Sequence, residues 1–470
     1  MMPAAVIKTP ALKRFWARAR ASALFYGAMA TAVRIGSNLL LLPLLLQILS
    51  PPELAVWYIF VALGALANLA DFGFGAAVTR VYSFLWAGAD DFQTEGLGSP
   101  PQDQTPNYSK IQEFHAAVRV VYLRVALVGI GLLVVIGTLC LLRPMRAIAN
   151  PTGGWFCWAA FIVSTGYGLG TNYWVLACQG INRVRELQFT QLVSGLAYVA
   201  AAAIFLVAGW GLFAMVVAIA LRSLMSREMC RRVYVRAVPQ VSQAAQQALN
   251  SMIQRIWPNA CKFGILSLGG YLTQQSQVLV CSHFFGPETT ASYGLTNQLA
   301  TFIAGFSTLW LAVKWPEITM LRTQGRLQEM GILFARRLAA TILSFAVIAV
   351  LLIATGNTLL EWKGTQTRML PTAFVAVFML NYLQQLFYGQ FGMLTFTENV
   401  VPFVKLSIFT GIGSVVLGAF LAWWAGLWGL IAAPLIATAS TCLWYVTWRG
   451  FQRQPLTVRE FARAGLLGHV

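Results

Sequence analysis

The chain has 470 residues, of which 58% are hydrophobic and only 10% charged, and its net charge is +18. A soluble domain carries roughly 25% charged residues, so composition excludes an ordinary water-soluble globule. The basic excess does not describe a nucleic-acid surface either. Lys and Arg stand in short blocks at the ends of apolar runs, as membrane topology signals do.

A leader with Lys8, Lys13, Arg14, Arg18 and Arg20 opens the chain. The apolar run behind it continues to Leu49, too long for a cleaved signal, and is expected to stay as span one, 24–47. Arg34 lies about ten residues into that span, roughly 15 Å deep at 1.5 Å per residue, with Asn38 a turn further on and Pro43 as a bend. Span two, 54–78, carries Asp71 near its far end. The two spans are antiparallel, so Arg34 and Asp71 fall at similar depth and could pair. An ionised group inside a span is costly, and it marks either a functional site or an ion pair that fixes packing. The connection from Ala87 to Gln112 is rich in Gly, Pro, Asp and Gln and predicts a flexible insertion. Spans three to six are expected at 120–142, 155–178, 187–208 and 211–229. Span four contains Gly166 to Gly170 and Asn172; span six is interrupted by Arg222 and Arg227.

A linker at 235–258 leads to spans at 259–281, 290–313, 338–356, 370–394, 403–424 and 427–448. Lys262 and Lys314 sit near span ends, where they either snorkel to headgroups or line a cationic entrance. Gln274 and Gln277 lie in span seven, Asn297 in span eight, and Asn381 and Gln384 in span ten. Amides join helices to each other or hydrogen-bond sugars in a wet cavity. Their concentration in spans one, two, four, seven, eight and ten favours the lined cavity. Trp57, Trp155, Trp310, Trp423, Trp428 and Trp444 near span ends are expected as interface anchors. The fold class is therefore an all-α integral membrane protein of about twelve spans.

With the N-terminus inside, 28 of the 33 Lys and Arg fall on one side and 4 on the other. That places both termini in the cytoplasm. The halves also echo each other about 235 residues apart: Pro52-Glu53 and Trp57 between spans one and two, Pro287-Glu288 and Tyr293 between seven and eight. Six spans per half leave both halves in one orientation. The chain thus divides into lobes 1–234 and 259–470 about a pseudo-twofold axis along the membrane normal, a common transporter plan with a central site. The seven cysteines form no CxxC pair and only three histidines are present, so neither a metal nor another cofactor is expected.

Several short motifs carry a family resemblance. They are Leu49-Ser-Pro-Pro-Glu53 with Trp57, Leu69-Ala-Asp71-Phe-Gly73-Phe-Gly75 with Arg80, and Trp315-Pro-Glu317 with Leu321 and Gly325. In these the chain resembles the polysaccharide flippases of the O-antigen (Wzx-like) type, in the multidrug/oligosaccharidyl-lipid/polysaccharide exporter superfamily. The resemblance implies a bacterial inner-membrane protein with a cationic central cavity. It implies transfer of undecaprenyl-diphosphate-linked oligosaccharide from the cytoplasmic to the periplasmic leaflet, with membrane lipids and polysaccharide polymerase machinery as partners. Beyond Arg34 and Asp71 the chain has few charges deep in the membrane, fewer than a cationic cavity suggests.

Three functions compete. A diphosphate-bearing lipid gives a buried arginine a purpose, since guanidinium makes charge-assisted bonds to phosphate. A small-molecule or multidrug antiporter for cations would want acidic groups in its cavity, and Asp71 is the one available. A membrane glycan ligase or glycosyltransferase needs a large outer loop with catalytic groups, and the outer connections are short. No Ser/His/Asp set, HExxH or Walker loop is present, so an enzyme is not expected.

Overall fold

The computed structural model describes residues 23–88, 105–239, 249–398 and 402–467. Among them every regular element is helical. Helix α1 is Ala23–Ile48. Helix α2 comes in two pieces, Pro51–Asn68 and Phe74–Trp86. Helix α3 is Tyr108–Leu141 and contains a π turn at Leu133–Gly137. Helix α4 is Pro151–Thr171 followed by Tyr173–Gly180, α5 is Val184–Val207 and α6 is Leu212–Ala237. Helix α7 is Leu249–Gln274 followed by Ser276–Phe284, α8 is Pro287–Ser307, α9 is Leu327–Trp362 and α10 is Thr372–Phe396. The run Val404–Thr438 turns back at Gly426, giving α11 (404–425) and α12, which continues to Phe451. Short helices at Trp315–Thr323 and Val458–Leu467 stand outside this set.

Among the described residues five stretches are long and apolar enough by themselves to cross a bilayer: Pro51–Asp71, Tyr108–Leu141, Val184–Val207, Leu327–Trp362 and Val404–Phe451. The last of these holds two spans. The other runs are interrupted, as at Asn172 and Gln275, or carry polar residues such as the arginines of α6.

Local chemistry sets the helix ends. Pro51 occupies the first turn of α2, where its missing N–H costs nothing. The Glu53 carboxylate accepts from the Ser50 N–H at 3.0 Å and from its hydroxyl at 2.8 Å. Pro287 and Glu288 likewise stand in the first turn of α8, behind the N-cap Gly286. The α5–α6 and α11–α12 hairpins turn on Gly211 (φ 53°, ψ −132°) and Gly426 (φ 63°, ψ −143°). Only glycine adopts that conformation without strain. The two hairpins are thus built alike, a repeat additional to the Pro-Glu pairs.

The packing order repeats too. In the first half neighbours run α1–α5–α6–α4–α3–α2. In the second half they run α7–α11–α12–α10–α9–α8. Adding six to each member of the first series gives the second. Small residues let the closest pairs meet: a Cβ on Gly195 of α5 would come within 2.8 Å of Val33 on α1, and one on Gly411 of α11 within 2.7 Å of the Gly269 carbonyl of α7. The two bundles touch where α2 meets α8, α1 meets α8, and α2 meets α7. The α1–α8 and α7–α2 contacts exchange under the same shift by six, and α2–α8 maps onto itself. That is the pattern of an isologous, twofold interface. The fold is an all-α membrane architecture of two six-helix bundles.

Four sequence expectations change. Span two is not one helix, because it breaks at Leu69–Gly73. The helix of span three begins twelve residues early, at Tyr108. Helices consume most of the expected linker, since α6 continues to Ala237 and α7 starts at Leu249. Trp57 is 5% exposed and packs in the core, so it is no interface anchor, whereas Trp423 is 74% exposed. The expected flexible insertion, Ala87 to Gln112, falls mainly outside the described residues, and its last part, from Tyr108, is helical.

Candidate functional site

The seam between the bundles is closed in two places. At the end bearing Pro51 and Pro287, the proline end, Tyr58 of α2 lies against Gly294 of α8. Toward the opposite, basic end, Phe72 lies against Gly264 of α7; a Cβ on Gly264 would stand 2.5 Å from the Phe72 ring and 2.8 Å from its carbonyl oxygen. Phe72 sits in the break of α2. Both it (φ 44°) and Gly73 (φ 79°) are left-handed, an uncommon state for a bulky side chain. Asp71 holds the break. Its carboxylate accepts the Gly75 N–H at 3.2 Å and the Tyr122 hydroxyl of α3. The break is therefore tied to the first bundle through Asp71 while Phe72 faces the second.

The amides of the second bundle bond to one another across helices. Gln274 of α7 donates to Gln385 of α10, and Gln385 donates to Asn381 at 3.0 Å. The Tyr382 hydroxyl donates to Asn297 of α8 at 2.7 Å and meets Thr301 at 2.9 Å. Gln384 donates to the Leu435 carbonyl of α12 at 3.3 Å and to Thr438. Gln277 donates to the Ser414 hydroxyl and carbonyl of α11 at 3.0 and 3.1 Å, leaving its own carbonyl oxygen buried without a hydrogen-bond partner. Helix α10 is thus a polar hub that ties α7, α8 and α12 together. Lys314 pairs with Glu317 at 2.6 Å, and Lys262 is exposed. Arg34 and Asn38 belong to α1, but their side chains lie outside the described residues, as does the expected Arg34–Asp71 pair. Among the described residues no His, Cys, Asp or Glu cluster could hold a metal ion.

A cavity of about 920 Å³ lies away from the seam. It lies in the first bundle between α3, α4 and α6 and is lined by His115, Arg119, Trp174, Arg227 and Tyr234. A smaller one of about 140 Å³ adjoins it, formed by Asn172, Arg222, Ser223 and Arg227. Asn172 thus lines a basic recess within one bundle, away from the amides of the other. Sequence reasoning treated Arg222 and Arg227 only as interruptions of span six. Their presence in an apolar helix was the available signal.

No protein-family model matches the chain, and no curated protein matches it in sequence. Solved structures do match. A lipid II flippase, MurJ, in an inward closed conformation aligns with TM-score 0.65 at 9% identity, over 94% of this chain and 90% of that one. An inward-facing MATE multidrug resistance transporter of the MOP superfamily aligns with TM-score 0.61 at 12% identity, over 91% and 94%. The chain has the fold of the MATE and MurJ transporters. An outward-facing MATE transporter of the same superfamily also aligns, at TM-score 0.50 and 12% identity, over 93% of this chain and 98% of that one. The shared transporter fold agrees with the two-bundle packing and with the short connections between helices. At this identity the likeness concerns the fold alone.

Proposed function

We propose that this chain carries undecaprenyl-diphosphate-linked oligosaccharide from the cytoplasmic to the periplasmic leaflet of a bacterial inner membrane by alternating access. The observation that carries the proposal is the isologous seam, closed at both ends through glycine–aromatic contacts, in a fold shared with a lipid II flippase. Two self-complementary bundles can rock about such a seam, opening one end as the other shuts. The 28-to-4 split of basic residues puts the basic end and both termini in the cytoplasm. Arg34, on the seam helix α1, is the group we assign to the diphosphate, and we assign Asn38, Asp71, Asn172, Lys262 and Lys314 to the route of the same headgroup. Gln274, Gln277, Asn297, Asn381 and Gln384 would meet sugar as the second bundle repacks. Polymerase machinery on the far side would take up the glycan.

A small-molecule antiporter is the second reading. The MATE likeness and the Asp71 carboxylate, next in sequence to the seam residue Phe72, support it. Cells lacking the chain separate the two. The flippase reading expects lipid-linked oligosaccharide to accumulate and surface glycan to vanish, both reversed by the intact chain and not by Arg34→Ala. Normal surface glycan with new sensitivity to cationic drugs would overturn it. Arg34→Ala combined with Asp71→Ala tests the pair: restored transport in the double variant would make Arg34 a structural partner only.

A further inference from the structure

The 920 Å³ cavity has no part in the seam. Its walls come from α3, α4 and α6, whereas the seam uses α1, α2, α7 and α8. Its floor is aromatic. His115 stacks on Tyr234 with ring centroids 4.2 Å apart and lies 4.6 Å from the Trp174 ring. Its polar atoms are only partly matched. His115 Nδ1 meets the Tyr82 hydroxyl at 2.8 Å, but His115 Nε2, Trp174 Nε1, the Tyr234 hydroxyl and Arg227 Nε are buried with no hydrogen-bond partner. Buried polar groups are normally paired, and four residues lining this one cavity each carry an orphan. The lining contains two arginines and no carboxylate. Arg227 has one acidic neighbour, Glu228, at 3.4 Å, and Arg119 is exposed.

Two features decide what the occupant is. At the basic end, the Gln112 side chain donates to the Pro239 carbonyl and bridges α3 to the end of α6. On the lateral side the rim is apolar. Leu123 is 60% exposed, and exposed Leu127 and Val128 continue the same face of α3 into the membrane-spanning stretch. Two lining arginines, one of them exposed, beside an apolar lateral rim match a molecule with an anionic head and a hydrocarbon tail. We propose that this cleft binds an anionic glycerophospholipid of the basic-end leaflet, its phosphate between Arg119 and Arg227 and an acyl chain along Val120 and Leu123. A polybasic site near the membrane surface favours acidic lipid, and desolvated guanidinium–phosphate bonds add to that preference.

Native mass spectrometry of the purified full-length chain tests this with phosphatidylglycerol, phosphatidylcholine, inorganic phosphate and glycerol 3-phosphate as probes. Phosphatidylglycerol should be retained in preference to phosphatidylcholine. Arg119→Glu changes an exposed residue, so folding should survive, and retention should fall by about tenfold or more. Arg227→Gln should act likewise, and Leu123→Ser should weaken retention of lipid without creating phosphate binding. Equal retention of the two lipids, or unchanged retention in both arginine variants, would overturn the proposal. Competition by inorganic phosphate or glycerol 3-phosphate as effective as by lipid would make the cleft a free-anion site instead. Displacement of phosphatidylglycerol by an equimolar lipid-linked diphosphate would make it part of the cargo's route and also refute the assignment. The readout is binding alone, so it stands or falls independently of the flippase reading.

Discussion

Substitutions at the two ends of the seam should bias the two bundles in opposite directions. An ideal Cβ on Gly294 would fall 2.7 Å from the Tyr58 Cβ and nearer still to its ring. Carbon atoms in good contact stand about 3.5–4.0 Å apart, so α2 and α8 must part by about 1 Å or Tyr58 must leave its buried position. Overpacking of this kind costs about 1–3 kcal/mol. In Gly294→Val that cost falls on the arrangement closed at the proline end and is relieved when that end opens. The closed-to-open ratio should therefore drop by about 5- to 160-fold. Gly264→Val does the reverse, because the new side chain meets both the ring and the backbone of Phe72. Pulsed electron paramagnetic resonance, with spin labels on α2 and α8 near Tyr58 and on α2 and α7 near Phe72, reads the outcome. Gly294→Val should lengthen the first distance and shorten the second; Gly264→Val should do the opposite. If both variants move the distances the same way, or lose stability with neither distance changed, the seam is static and alternating access across it is wrong.

Four further outcomes follow from the hydrogen bonds. Tyr122→Phe removes a donor from the Asp71 carboxylate and should cost about 1.5–3 kcal/mol, while the double change with Asp71→Asn should cost less than the sum, checked by thermal unfolding in detergent. Gln384→Leu should cost about 1–3 kcal/mol through the orphaned Leu435 carbonyl and Thr438 hydroxyl, and an unchanged Tm would show that this amide ties nothing. Glu398 lies 3.0 Å from Arg322 and also pairs with Arg453, so Glu398→Gln leaves two guanidiniums facing each other and should lower stability by about 1–2 kcal/mol. The Glu460 carboxylate accepts from the Thr457 N–H and hydroxyl, both at 2.8 Å, and these bonds hold it below the usual carboxylate range. A depressed folded-state value makes this contribution complete above the unfolded value and lost as pH falls through the folded one. The protection of the Thr457 amide against hydrogen exchange, taken relative to an unstructured peptide at the same pH, should therefore fall below about pH 4 and hold at neutral pH.

The span map was legible because lipid imposes it: a helix must carry about 20 apolar residues, and stretches such as Leu338 to Leu360 announce themselves. The proline-led starts of α2 and α8 were legible for the same local reason, since Pro and Glu belong in a helix's first turn. The break at Leu69–Gly73 was not. Asp-Phe-Gly-Phe-Gly reads as a tolerable apolar helix, and only the Tyr122 hydroxyl and the packing of Phe72 on Gly264 show why the chain leaves it. Gly211 and Gly426 were ordinary loop glycines until their matching backbone angles showed a repeated hairpin. The amides could be counted but not paired, because Gln384 reaches Thr438 only through the fold of α10 against α12. The lateral cavity escaped notice for a related reason. His115, Trp174 and Arg227 lie on three different helices, and no spacing along the chain brings them together.

The most direct measurement is translocation itself, with the purified chain in vesicles carrying a fluorescent undecaprenyl-diphosphate oligosaccharide in one leaflet. Access of an impermeant glycosidase added on one side then reports which leaflet holds the glycan. The intact chain should move the labelled lipid between leaflets, Arg34→Ala should not, and vesicles without protein should keep their asymmetry over the same time. Unchanged asymmetry with the intact chain, in vesicles where the same preparation exchanges a small organic cation, would contradict the account.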